Sequence, residues 1–120
     1  MYDVKFVEYK GRRILYHDMK DCDASEFAEM LNKSMELASK EQPHSILSIA
    51  VGGENTPIFT DHEMFINYLK KNTPYIKASA VACLPEIKEK MLASVMNGAE
   101  RKLQLFKTEE EALEWLITFP

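Results

Sequence analysis

The chain is poor in the residues that staple and punctuate a fold. Its 120 residues include only 2 cysteines, 4 glycines and 5 prolines. Two cysteines cannot build the disulfide framework of a small secreted domain. Cys22, in a loop, and Cys83, at a strand end, therefore read as free thiols. There is no C-x-x-C or H-x-x-x-H spacing, and His17, His44 and His62 are scattered, which argues against a metal site. No G-x-G-x-x-G follows an apolar run; the one glycine pair, Gly52-Gly53, opens a loop and not a helix, which sets aside a dinucleotide-binding domain. No apolar run approaches the roughly 18 residues of a membrane span. The opening stretch, MYDVKFVEYKGRR, lacks the apolar core of a signal peptide, so a cytoplasmic location without stable membrane insertion is expected. Internal repeats, linkers and low-complexity segments are also missing.

What is present suits one globular domain over residues 1–120, with 46% hydrophobic and 28% charged residues. The formal charge of −4 argues against nucleic acid as a partner. Its distribution is uneven: residues 1–69 carry −5, residues 70–107 carry +5 and residues 108–120 carry −4. The basic block draws Lys70, Lys71, Lys77, Arg101 and Lys102 from different elements and reads as a solvated mixed surface.

The most informative stretch is NTPYIKASAVACLPEIKEKMLASVMN, from Asn72 to Asn97. Tyr75–Cys83 reads as an interior strand, with Ile76, Ala78, Ala80 and Ala82 on one face, small enough for a helix backbone to come close. Pro74 disfavours helix at Thr73, and Pro85 fits a first helical turn. The helix that follows is expected to pack through Ile87, Met91 and Val95, with Leu92 beside them, and to end at Asn97-Gly98.

Upstream, Val4 and Phe6 alternate against Lys5, Val7 and Tyr9, and Ile14, Leu15 and Tyr16 resume after the Lys10-Gly11-Arg12 turn, predicting an antiparallel hairpin. Asp23 and Glu26 form an Asp variant of the capping box ahead of a helix over about residues 24–41. Its inward stripe is Phe27, Met30, Leu31, Ser34, Leu37 and Ala38. Ser45–Val51 is a nearly continuous apolar run, expected as an interior parallel strand beside Tyr75–Cys83. After the loop GGENTPIF, Thr60 and Glu63 cap a helix carrying Met64, Phe65, Tyr68 and Leu69 on one side. Leu103–Phe106 is a short last strand, and Thr108 with Glu111 repeats the capping box before a final helix facing inward through Ala112, Leu113 and Leu116. The fold class is therefore α/β: a single open mixed sheet with an N-terminal antiparallel hairpin and four helices, in the order β-β-α-β-α-β-α-β-α.

The stretches YKGRRILYHD, NTPYIKASAVAC and LQLFKTEEEALEWL, in that order along nearly the whole chain, resemble the SpoIIAA-like family, of the STAS and CRAL-TRIO type of fold. The resemblance implies the same element order and a cytosolic regulatory or binding role. STAS-type antagonists carry a D-S-S-G-like segment after the third strand, with a phosphorylated serine at a helix start; here that region reads VGGENTPIFTDH, and Thr60 lies nearest the helix start. The family's glycine-rich turn after the fourth strand is replaced by Leu84-Pro85.

No residues with catalytic spacing stand out, so a non-enzymatic protein without a cofactor is expected. The leading expectation is a STAS-like interaction module that docks a protein partner through the loop after the third strand, with Gly53, Asn55, Thr56, Ile58, Phe59 and Thr60 as its surface. Phe59 can staple back onto Met64, which leaves Ile58 as an apolar anchor, and a phosphate on Thr60 would gain from the helix N-terminus. The alternative is a small-molecule or lipid binder using a gap between sheet and helices, for which Met30, Met35, Met64, Met91 and Met96 supply adaptable walls. A homodimer is compatible with either. Cys83, ahead of a helix N-terminus, is a candidate reactive thiol, against the plainer reading of an inert buried one. The loop Asp18, Asp21, Cys22, Asp23 reads as solvated chain ending in a helix cap.

Overall fold

The structure, a computed structural model, describes residues 2–54, 56, 62–96 and 103–120. Five strands form one mixed sheet: β1 (Asp3–Tyr9), β2 (Arg12–Asp18), β3 (Ile46–Val51), β4 (Ile76–Ala82) and β5 (Leu103–Phe106). Four helices accompany them: α1 (Ala24–Ala38), α2 (His62–Asn72), α3 (Glu86–Met96) and α4 (Glu109–Leu116). The spatial order of the strands is their order in the chain. Only the β1–β2 pair is antiparallel.

The hairpin turn is made by Lys10 (φ 48°) and Gly11 (φ 81°), with Tyr9 opposite Arg12. Two successive positive φ values give the tight two-residue connection whose twist matches that of the strands. Helix α1 opens with the capping box expected of Asp23 and Glu26: the Glu26 backbone N–H donates to Asp23 Oδ1 at 2.8 Å, and the Asp23 N–H donates to Glu26 Oε1 at 3.2 Å. At the start of α4, Thr108 Oγ1 accepts the Glu111 N–H at 3.2 Å while its own O–H donates to Glu111 Oε1 at 3.0 Å. Thr73–Tyr75 forms a 3₁₀ turn, so the strand that follows starts at Ile76.

The three crossovers that carry the chain from β2 to β5 step in the same direction across the sheet. Right-handed crossovers then place all their helices on one face. That face is packed by α1, α2 and α3, through Phe27, Met30, Leu31, Phe65, Tyr68, Leu69 and Leu92. Among the described residues, α4 is the helix that covers the other, where Ala112, Leu113 and Leu116 meet Ile14, Leu47, Ile49, Val51 and the alanines of β4.

Two expectations need correction. Ile76 does not share a face with Ala78, Ala80 and Ala82. Ile46 pairs with Ile76 but Leu47 with Ala78, so Lys77 is an extra residue in β4. This bulge reverses the alternation: Ile76 joins the three-helix side and the alanines the α4 side. Nor do Ile87 and Met91 face inward on α3; they are 69% and 43% exposed, whereas Leu92 is buried. Leu84, just ahead of the helix, is buried, and its side chain occupies the space that a Cβ on Gly52 would need, at 2.4 Å. Leu84 and Leu92 are buried in the three-helix core, and Ile87 and Met91 turn out.

Candidate functional site

The carboxyl ends of the parallel strands, where open α/β sheets gather their ligands, are knitted together by backbone. The Met19 N–H donates to Val51 O, and the Gly52 N–H to Ala82 O, both at 2.9 Å. Of the residues expected to form a docking surface, Gly53 and Thr56 lie at this junction. Thr56 is 1% exposed; its Oγ1 accepts the Gly53 N–H at 2.8 Å and donates to Met19 O at 2.9 Å. Thr56 thus ties the start of the loop to the chain following β2 and faces inward. Asn55, Ile58, Phe59 and Thr60 lie outside the described residues. From α3, the Lys88 ammonium donates to the carbonyls of Glu54 and Thr56, the latter at 2.7 Å. Helix α3, which exposes Ile87 and Met91, is therefore tied to this loop through Lys88.

Cys83 has φ 67°, a left-handed backbone at the turn out of β4, and is half-buried on the α4 side with Tyr16 and Phe106. His17 is on the opposite face of the sheet, so the structure does not bring thiol and imidazole together. Cys22 is 3% exposed, and burial pushes its thiol above its ordinary pKa. Both cysteines are free. Among the described residues no three His, Cys, Asp or Glu side chains come together to hold a metal ion, and no helix is long and apolar enough to cross a membrane.

A second site lies inside the three-helix face. Register places Ser48 beside Ser79, and Ala50 between His17 and Val81. Short side chains thus occupy the middle of the sheet, and the helices above leave a cavity of about 60 Å³ lined by them together with Met30, Phe65 and Tyr68. A chain of buried polar groups runs along it. His17 Nδ1 is 2.9 Å from Ile49 O and Nε2 is 2.7 Å from Ser34 Oγ. Ser34 Oγ is 3.2 Å from the Tyr68 hydroxyl, to which Asn72 Nδ2 donates at 3.0 Å. A carbonyl only accepts, so Nδ1 carries a hydrogen. The assignment that satisfies every hydroxyl then runs one way: Asn72 to Tyr68, Tyr68 to Ser34, Ser34 to His17 Nε2, and Nδ1–H to Ile49. Asn72 Oδ1, at the head of the chain, is buried and has no partner among the described residues.

Sequence reasoning missed this site. Its traces were Ser34 and Tyr68, polar groups within apolar helix stripes, and His17 alternating with Leu15 on a strand. No family model matches the chain, and no curated protein is similar to it in sequence.

Proposed function

We propose that the chain is a SpoIIAA-like, STAS-type regulatory module of the cytoplasm, without enzymatic activity, that docks a protein partner through the loop after β3 and the adjoining outer face of α3. The family reading draws support from the element order, with its antiparallel hairpin followed by parallel strands in chain order. The observation that carries the docking reading is the exposure of Ile87 and Met91, one turn apart at 69% and 43%, on the helix that Lys88 fastens to that loop. Large apolar side chains left in water on a helix that has another face to bury are the kind of anchor an interface covers. Partner recovery from cell extract tests it. Ile87→Asp and Met91→Asp should each lose the same bound protein while staying folded, and Ile58→Asp should do likewise. Full recovery by folded variants would overturn docking here.

Ligand binding is a second reading, supported by the cavity. At about 60 Å³ it suits a small molecule far better than an acyl chain.

A further inference from the structure

Four features of the cavity define what fits it. First, among the described residues no Asp, Glu, Lys or Arg lines it. From these residues a charged ligand would gain no counter-charge for its lost hydration, which favours a neutral occupant. Second, most of the wall is apolar, from residues such as Met30, Phe65 and Leu92. Third, among the described residues the polar groups of the wall are already committed, with one exception. Both nitrogens of His17 are engaged, and the Tyr68 hydroxyl both donates and accepts. Ser79 also has a partner. Ser48 is 4% exposed and lines the cavity, and its hydroxyl has no hydrogen-bond partner among the described residues. A hydroxyl that opens onto a cavity is satisfied by whatever enters it. Fourth, the volume of about 60 Å³ is under half of the roughly 150 Å³ that admits benzene in an engineered apolar cavity.

We infer that this cavity is a binding site for a short-chain alcohol or a similarly small neutral molecule with one hydroxyl head, which bonds Ser48 while its hydrocarbon end lies against Met30, Phe65 and Leu92. The inference rests on the ligand reading above and names its substrate class; it is independent of docking. One free hydroxyl matches one polar head, and an alcohol can donate to or accept from Ser48. A purely apolar guest would leave the serine unpaired. Water alone would satisfy Ser48 and leave the apolar wall wet. An alcohol does both tasks, and the thioether of Met30 can shift to fit its tail.

The experiment follows the methyl resonances of Leu31, Leu69 and Leu92 in the whole protein during titration with 1-propanol and, separately, under xenon. Propanol should produce saturable shifts at these methyls. Ser48→Ala should weaken propanol about tenfold, the worth of one buried hydrogen bond, and leave xenon binding equal or tighter. Ala50→Leu, which fills the space from the neighbouring position on β3, should abolish both responses. Should that variant not fold, Ser48→Val removes the hydroxyl and fills part of the space, and propanol binding should be lost in it. Unchanged propanol affinity in Ser48→Ala, or shifts that persist in a folded Ala50→Leu, overturns the site. Entry of xenon without propanol overturns the alcohol class and leaves the ligand reading standing. Entry of neither probe removes both.

Discussion

The two faces of the sheet are packed by different rules. On the α4 face, the strands offer Ile14, Leu47, Ile49 and Val51 around a strip of alanines, and one short helix lies on them. Backbone and helix come close, and the side chains of that core are hydrocarbon. On the opposite face, three helices bring Phe27, Met30, Phe65 and Tyr68, while the strands beneath offer Ser48, Ala50 and Ser79. There the bulk comes from the helices and the sheet falls short, which leaves a cavity and a line of buried polar groups. The lesson is that small residues on a strand do different things according to what covers them. Under a single helix free to settle, alanine draws the helix in. Under three helices that also pack against one another, as Phe27 does on Phe65 and Phe65 on Tyr68, a small residue leaves space.

This contrast is open to direct attack. The largest effect is expected at Leu116, which is fully buried between α4 and the sheet. Leu116→Ala should cost about 2–5 kcal/mol in urea unfolding, toward the upper end because the alanines below offer nothing to collapse into the gap. Leu92→Ala, on the cavity side, should cost less. A smaller cost at Leu116 than at Leu92 would reverse the assignment of tight and loose faces.

Enlarging the sheet residues gives the converse test. Ala80 is 1% exposed on the α4 face, and Ala80→Leu should overpack it by about 1–3 kcal/mol. Ala50 borders the cavity, and Ala50→Val should change stability by less than about 1 kcal/mol, in either direction. Equal losses at the two positions would mean that the faces are packed alike.

Much of the fold was legible because it depends on local pattern. The capping pair Asp23 and Glu26, the alternation of Val4 and Phe6 against Val7 and Tyr9, and the apolar run over Ile46–Val51 each state their structure within a few residues. What was not legible depends on two segments at once. The bulge at Lys77 exists only in the pairing of β4 with β3. Leu84 seated over Gly52, ahead of α3, is a contact between the ends of two strands. The cavity requires that Ser48, Ala50 and Ser79 meet in register, and its polar chain joins His17 to a serine 17 positions away and to a tyrosine 34 positions beyond that. The loop expected to dock a partner contributes Gly53 and an inward-facing Thr56 among its described residues, and the exposed apolar pair Ile87 and Met91 lies on a helix stripe whose spacing reads as core.

Neighbouring residues of β2 extend the comparison to pH. Tyr16 and His17 point to opposite faces: His17 into the polar chain, Tyr16 toward α4, where its hydroxyl donates to the Glu109 carboxylate. Burial, then the bond to Glu109, raises the Tyr16 phenol well above its ordinary pKa near 10. A raised native pKa means that the unfolded chain releases this proton first. The stability Tyr16 contributes is therefore fully present below about pH 10 and is lost as pH climbs from there toward the native value. The urea midpoint should fall between pH 9 and pH 11, and Tyr16→Phe should flatten that fall, since phenylalanine keeps the ring and has no proton to release. Tyr9 is half-buried on the same face and its phenol is raised first by its bond to Glu114 and only then by burial, so Tyr9→Phe should flatten the fall less than Tyr16→Phe and serves as the comparison. A slope that Tyr16→Phe leaves unchanged would show that the α4 face does not hold this phenol in its neutral form.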